Sequence, residues 1–370
     1  MRHDPLPPPD FTVAASRLTI DVGACVANWR DIAARTKAVT GAAVKADAYG
    51  LGADIIVPAL ARAGCQNFFV ATIEEGASLR ALAPDARIFS VSGLWPGQEA
   101  LAIARRIIPV AASPEQLDLI AGLGGALEHA LFIDTGMNRL GLTAEQAAAY
   151  AQSGGKPMMV MSHLACADEP DHAMNARQKE SFQPLAALFE EAESSLSSSA
   201  GILLGPDYHY DLTRPGIALF GGLTLAGFTP RPVATAEARI IQIRTAKAGE
   251  TVSYGARQLL TRDSRIAILG AGYADGWHRA VSGAGAPLRD AGVACGAVVI
   301  AGHRAPILGR VTMDLTMVDV TDIPADLARI GDYAEFFGPH MPIEDAARAA
   351  GTISYELLTS LGKRYVRRIV

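Results

Sequence analysis

Ala42-Ala43-Val44-Lys45-Ala46-Asp47-Ala48-Tyr49-Gly50-Leu51-Gly52 is the stretch on which the rest of the chain is read. A short apolar run ends at a lone lysine, and a tyrosine follows four residues later. Two glycines then lead into helical spacing over Asp54–Ala63, with Gly64 as the stop signal. Lys45 therefore stands where a buried strand would surface. In barrel enzymes that is the carboxyl end, from which catalytic groups are presented. An amine held there and partly stripped of water gives up its proton and attacks carbonyl carbon, the chemistry of Schiff-base lysines. Spacing alone equally allows a plainer role, in which Lys45 marks a strand leaving the core.

Working outward, short apolar runs alternate with helical segments. The runs are Phe68–Thr72, Ile88–Val91, Ile107–Val110, Ala130–Asp134, Met158–Ser162, Gly201–Leu204 and Gly216–Phe220. With the Lys45 strand they make about eight, the number that closes a (β/α) barrel. The same alternation suits an open doubly wound sheet. That sheet is disfavoured because no GxGxxG fingerprint follows the first strand, and Gly270-Ala271-Gly272 lacks the third glycine. Upstream, Arg17–Val22 alternates like a strand, and Ala24–Thr36 places Val26, Trp29, Ile32 and Ala33 at helical spacing. Glu190–Ser199 reads as a helix end and a polar loop.

From about Pro230 the texture changes. Ala238–Ile243, Arg265–Leu269, Val293–Ile300 and Val311–Val320 are closely spaced strands separated by glycine turns. A helix over Ile343–Ala350 and a strand over Tyr365–Val370 close the chain. The expected fold is α/β: an N-terminal (β/α)8 TIM-like barrel followed by a mostly β C-terminal domain. The expected bounds are 1–22 for an N-terminal strand pairing with the β domain, 23–232 for the barrel and 233–370 for the β domain.

The chain has 370 residues, half of them hydrophobic and 19% charged, with a formal charge of −5. That length suits two domains with ample cores. The absence of a basic tract argues against nucleic acid and anionic membranes as partners. No run of about 18 apolar residues suits a membrane span. Met1–Phe11 is polar and proline-rich, without the apolar core of a signal peptide. Cys25, Cys65, Cys166 and Cys295 are scattered and form no CxxC, so a cytoplasmic location is expected.

Further stretches carry chemistry. Asp134-Thr135-Gly136-Met137-Asn138-Arg139-Leu140-Gly141 follows the fifth strand. Ser162-His163-Leu164-Ala165-Cys166-Ala167-Asp168-Glu169 ends the sixth. Ser198-Ser199-Ala200-Gly201 and Arg214-Pro215-Gly216-Ile217 flank the last two, where barrels commonly bind phosphate. The β half holds Gly270-Ala271-Gly272-Tyr273-Ala274-Asp275-Gly276-Trp277, Gly309-Arg310-Val311-Thr312-Met313-Asp314 and Thr352-Ile353-Ser354-Tyr355-Glu356. His163, Cys166 and Asp168 have metal-ligand chemistry but no matching pair elsewhere, so no metal is expected. Nothing marks Cys166 as an activated nucleophile. His163 also suits a satisfied core histidine, Tyr49 an aromatic packed under the barrel mouth, and Arg139 a surface arginine.

AVKADAYGLG and the other motifs, taken in order from about Leu18 to the C-terminus, resemble those of the alanine racemases. The resemblance implies pyridoxal 5'-phosphate bound covalently to Lys45, which is also a catalytic base. Tyr49, Ser199 and Tyr355, with the amides of Gly216 and Ile217, would hold the phosphate. Arg139 and the Met313 amide would hold the substrate carboxylate. His163 would lie beside the cofactor ring and link Tyr273 to Arg214 by hydrogen bonds. Many relatives carry a carbamylated lysine seven residues before the arginine equivalent to Arg139; here that residue is Phe132.

Racemisation needs a proton donor or acceptor on each face of a planar carbon. Tyr273 would serve the face opposite Lys45, and in the family it comes from the partner subunit of a head-to-tail homodimer. A phenol with an ordinary pKa near 10 is a poor base, so the site must lower it. The resemblance also implies that Arg214 would face the pyridine nitrogen, where most pyridoxal-phosphate enzymes use a carboxylate. An arginine only donates, which leaves that nitrogen neutral and disfavours transamination.

The implied reaction interconverts L-alanine and D-alanine and supplies D-alanine for peptidoglycan. A broad-specificity or serine-preferring racemase on the same scaffold is the alternative. A basic amino-acid decarboxylase would place a carboxylate where Arg214 stands. A single-barrel pyridoxal-phosphate-binding protein would lack the β domain and Tyr273.

Overall fold

A computed structural model describes residues 10–283 and 296–370. The chain divides into two compact units. One is Cys25–Arg231; the other joins the chain up to Ala24 with Pro232–Val370.

In the first unit, parallel strands succeed one another in chain order. They are Val39–Thr40 continuing as Ala42–Ala43, Asn67–Val70, Arg87–Ser90, Ile107–Ala111, Ala130–Phe132, Met159–Met161, Glu193–Ser195 and Leu212–Thr213. Leu212 pairs with Val39 and Thr213 with Thr40. The last strand joins its predecessor through the Asp211 amide, which donates to Ser194 O at 3.0 Å, and the Arg214 amide, which donates to Ser197 O at 2.9 Å. The sheet therefore closes on itself as a (β/α)8 barrel and leaves no edge for another chain to pair with. Phe69, Phe89, Val110, Phe132, Met161 and Leu212 fill its interior. Phe69 and Phe89 stack with their ring centroids 4.8 Å apart. Each such side chain contributes about 1.5–3 kcal/mol by leaving water.

The last two strands are not where the apolar runs placed them. Gly201–Leu204 lies largely in the helix Ser199–Leu203, and Ile217–Phe220 forms a 3-10 turn. The seventh strand, Glu193-Ser194-Ser195, falls inside the stretch expected to be a helix end and loop. It is polar because its side chains have partners. Glu193 pairs with Arg87 at 2.8 Å, and Ser195 Oγ donates to Leu212 O at 2.5 Å. The eighth strand is only two residues long, too short to give a periodic signal.

The second unit is built around the long strand Ala234–Ala246. On one side it pairs antiparallel with Ser16–Ile20, which in turn pairs parallel with Val366–Ile369. It also pairs with Tyr333–Phe337 and with Ser264–Leu269, the latter carrying Thr316–Asp319. Leu18 and Ile20 are completely buried in this sheet. Arg17 forms an ion pair with Glu237 at 2.7 Å and lies 3.6 Å from the centroid of the Tyr333 ring. The strand expected over Val293–Ile300 is observed as Ala297–Ile300. Val293–Cys295 and Met1–Pro9 lie outside the described residues. No helix among the described residues is long and apolar enough to cross a membrane.

Candidate active site

Lys45 emerges two residues after the strand Ala42–Ala43, at the carboxyl mouth of the barrel. The turn that follows is left-handed. Ala46, Asp47, Ala48 and Tyr49 have φ of 53°, 56°, 52° and 57°. For residues with a Cβ this conformation costs about 1–2 kcal/mol each, so the turn must be held from outside. Glu75 does part of this, because its carboxylate accepts the amides of Ala46 at 2.9 Å and Ala71 at 2.8 Å. Asp47 Oδ1 accepts the Ala53 amide at 2.7 Å and ties the far end of the turn to the next helix. The result projects Lys45 outward and folds Tyr49 back, where its ring stacks on Phe220 at 4.6 Å.

The Tyr49 hydroxyl reaches the loop after the eighth strand. A Cβ built on Gly216 would collide with that hydroxyl, so glycine is the residue that fits. Ser199 Oγ accepts the amides of Gly216 at 2.9 Å and Ala218 at 3.3 Å. Tyr49, Ser199, Gly216 and Ile217 are thereby gathered beside the first turns of two short helical segments.

Arg214 is buried beneath them. Its guanidinium donates to Ser195 Oγ and to the carbonyls of Ser162 at 2.5 Å and Leu196 at 3.3 Å. Among the described residues no hydrogen bond joins Arg214 directly to His163. Burial pushes the Arg214 pKa down to about 9, which still leaves it cationic at neutral pH. Burial pushes His163 down to about 3, helped by the charges of Arg214, Arg139 and Lys45, and keeps it neutral. Lys45 is exposed by area. Even so, desolvation lowers its pKa, Arg139 adds to this, and Glu75 opposes it. Three cations surround an uncharged imidazole, which makes the mouth a site for anions.

Arg139 sits at the tip of the loop after the fifth strand. The Asp134 carboxylate shapes this loop by accepting the amides of Gly136, Met137 and Asn138 at 2.8, 2.8 and 2.9 Å. Gly141 has φ of 131°, and a Cβ there would strike the Asp134 amide nitrogen, so the return of the loop requires glycine. The Arg139 side chain is exposed and makes no hydrogen bond or ion pair among the described residues. Phe132 lies in the barrel core below. The fully buried Gln178 joins this loop to the next. Its Nε2 donates to Thr135 Oγ1 at 3.2 Å and to His163 O at 2.9 Å, and its Oε1 accepts the Ala165 amide at 2.8 Å.

Glu75 and Gln178 were missed by the motif reading. A signal existed for Glu75, since Thr72-Ile73-Glu74-Glu75 has capping-box spacing. The carboxylate overshoots the capping amide, reaching Ala71 and the Lys45 turn. No local pattern marks Gln178. Among the described residues no group of three His, Cys, Asp or Glu side chains could hold a metal.

The β unit holds the remaining candidates. Tyr273 begins a 3-10 turn, Tyr273–Asp275, and is 43% exposed. Met313 is 54% exposed and Tyr355 40%. The framework beside them is buried: Asp275 is 1% exposed, and Trp277 stacks on Phe336 at 4.4 Å. Tyr273 on this turn and Met313 on the segment bonded to it are thus both exposed.

A closed barrel with an amine at its mouth, an anion-binding cluster around that amine and an appended β unit defines a class of lysine-bearing barrel enzyme. Residues 20–224 match the family description "Alanine racemase, N-terminal domain", and residues 233–369 match "Alanine racemase, C-terminal domain". A biosynthetic alanine racemase of Agrobacterium fabrum is 54% identical, covering 97% of this chain and 94% of that protein. The alanine racemase of Rhizobium meliloti is 50% identical over 98% of both. In crystal structures, the alanine racemase of Bartonella henselae with covalently bound pyridoxal phosphate superposes with a TM-score of 0.88. Its identity is 36%, covering 96% of this chain and 100% of that one. The chain belongs to the alanine racemase family.

Proposed function

We infer that this chain interconverts L-alanine and D-alanine with pyridoxal 5'-phosphate carried on Lys45. In this reading Lys45 of one chain and Tyr273 of a second copy are the two proton-transfer groups. The observation that carries it is the placing of Lys45, with its depressed pKa, beside Arg139, His163 and Arg214 at the barrel mouth. The residues present fit the cofactor. The Tyr49 hydroxyl, Ser199 hydroxyl and Gly216 amide meet where no side chain fits on Gly216, a donor set suited to phosphate. When bound, the cofactor supplies a carbonyl carbon for the amine and a ring that accepts electrons.

The protein's own groups supply the rest. Lys45, whose neutral form is favoured by desolvation and by Arg139, takes the α-proton on one face. Tyr273 gives or takes the proton on the other. Arg139 and the Met313 amide hold the substrate carboxylate, and the guanidinium does so through a planar fork. Tyr49, Ser199, Gly216, Ile217 and Tyr355 hold the phosphate. Arg214, a donor only, keeps the ring nitrogen unprotonated, and neutral His163 lies in the same cluster. Delivery of Tyr273 and Met313 by a second copy is supported by the exposure of both side chains. The biosynthetic relative supports D-alanine supply for peptidoglycan as the physiological role.

The test begins with purified protein and added pyridoxal phosphate. Borohydride reduction should fix the cofactor on the peptide that contains Lys45. Lys45→Ala should lose both covalent cofactor and racemisation, followed by circular dichroism of L-alanine solutions. Sustained turnover by that variant would overturn the assignment.

A further inference from the structure

Arg364 lies between the segment that carries Tyr273 and the segment that carries Met313. Its Nε and Nη2 donate to the two carboxylate oxygens of Asp275 at 2.9 and 2.7 Å. Nη1 donates to Asp314 Oδ1 at 2.7 Å, and Nη2 also reaches Met313 O at 3.3 Å. The fork therefore grips both segments at once.

Asp275 is the point through which this grip acts on Tyr273. Its carboxylate is buried and also accepts the Gly272 amide at 2.9 Å, which starts the turn. The turn in turn hangs on the second segment. The Tyr273 amide donates to Thr312 O, and the Ala274 amide to Met313 O, each at 3.0 Å. A Cβ on Gly272 would strike both of those carbonyl groups, so the two segments are in backbone contact. The Gly362 amide adds a bond to Asp275 O at 3.2 Å, two residues from Arg364. Arg364 itself is about half exposed, with 47% of its side chain accessible, so core filling does not account for it.

We propose that Arg364 is a positioning residue that sets the distance between the Tyr273 hydroxyl and the Met313 amide by tying Asp275 to Asp314 and Met313. The proposal rests on the reading of Tyr273 as a proton-transfer group. Only a planar, bidentate cation serves: a lysine reaches one carboxylate as a point charge and leaves the other segment free. Loss of the fork also leaves the Asp275 carboxylate buried without its counter-charge, which loosens the turn where Tyr273 begins.

The experiment compares holoenzyme of wild type, Arg364→Ala, Arg364→Lys and Asp314→Asn. Amide hydrogen exchange is read at Tyr273 and Ala274, with the strand Ser264–Leu269 as an internal control. Deuterium exchange at the α-carbon is read separately from L-alanine and D-alanine. In Arg364→Ala the two amides should exchange faster while the control strand is unchanged. Proton removal from the enantiomer served by Tyr273 should fall about 100-fold, the scale of an ångström-sized misplacement. The enantiomer served by Lys45 should lose less than about tenfold. Added guanidinium should restore the lost direction, and Arg364→Lys should not. Asp314→Asn, which keeps the Asp275 pair, should show the same asymmetry at smaller amplitude and covers the case in which Arg364→Ala does not fold.

Equal losses from both enantiomers, or unchanged exchange at Tyr273 and Ala274, would overturn the proposal. Wild-type behaviour of Arg364→Lys would do the same. Tyr273→Phe is the separate control for the underlying reading. If it lacks asymmetry while the two amides still loosen in Arg364→Ala, the role of Tyr273 fails and the tie made by Arg364 stands.

Discussion

The Glu75 carboxylate accepts the amide of Ala46, the residue after Lys45, from a helix that begins after the second barrel strand. It is the side-chain anchor at the start of a left-handed turn whose residues all carry a Cβ. The same charge raises the Lys45 pKa against desolvation and Arg139.

Glu75→Ala should therefore lower the pKa of the Lys45 amine further. Removing a nearby anion disfavours the charged form. Competitive labelling of that amine against pH, in cofactor-free protein, should show an earlier midpoint than wild type. The lost charge-assisted hydrogen bonds should also cost about 1.5–3 kcal/mol of stability in urea unfolding. A later midpoint would contradict the electrostatic part of the account.

Tyr273→Phe removes a hydroxyl from an exposed ring and leaves the buried turn intact. Loss of a general acid–base group costs about 100- to 10,000-fold. That loss should appear in α-proton removal from one enantiomer, with the other far less affected. Deuterium exchange from each enantiomer in separate runs measures it. Equal, modest losses would remove Tyr273 from proton transfer.

His163 gives a pH signature. Its folded pKa of about 3 lies below the ordinary value near 6.5, so between these values the unfolded chain binds the extra proton. Its contribution to stability is intact above pH 6.5, falls as pH drops and is fully lost below pH 3. Thermal unfolding of the cofactor-free protein should show this acid loss. His163→Asn should flatten the part of the profile between those pH values; an unaltered slope would show that another group is responsible.

Phe132 stands in the barrel core at the position where the resemblance would place a carbamylated lysine. Racemisation should therefore be unchanged, within about twofold, when carbon dioxide is stripped from the buffer or bicarbonate is added. An isolated change of this kind removes no interaction the chain possesses. Clear activation by bicarbonate would show that Arg139 is oriented by a carbamate elsewhere.

The legible parts of the fold were those with long apolar periods. Ile107–Val110, Met158–Ser162 and Arg265–Leu269 each match an observed strand to within one residue at either end, and the helix Ile343–Ala350 has its expected bounds. Glu193–Ser195 was illegible because its polar side chains are satisfied by Arg87 and by the Leu212 carbonyl, partners distant in sequence. The same holds at the site. Lys45, Arg139 and Arg214 announce themselves through motif and residue type. The left-handed turn does not, since none of Ala46, Asp47, Ala48 and Tyr49 is glycine. Gln178 and Arg364 act on loops far away in sequence, and only the folded chain brings them there.

The strand Ser16–Ile20 has one neighbour in Ala234–Ala238 and another in Val366–Ile369. During synthesis it precedes the barrel, whereas Val366–Ile369 follows it, so the strand waits for its second neighbour until after the barrel has been made. The whole barrel can close in that interval, as domains made early commonly fold first. Chains that stop before Val366 would then carry a finished barrel and a Ser16–Ile20 strand with one edge unpaired. Such an edge recruits other chains, so premature termination near Val366 should yield aggregates rather than a slightly weakened enzyme.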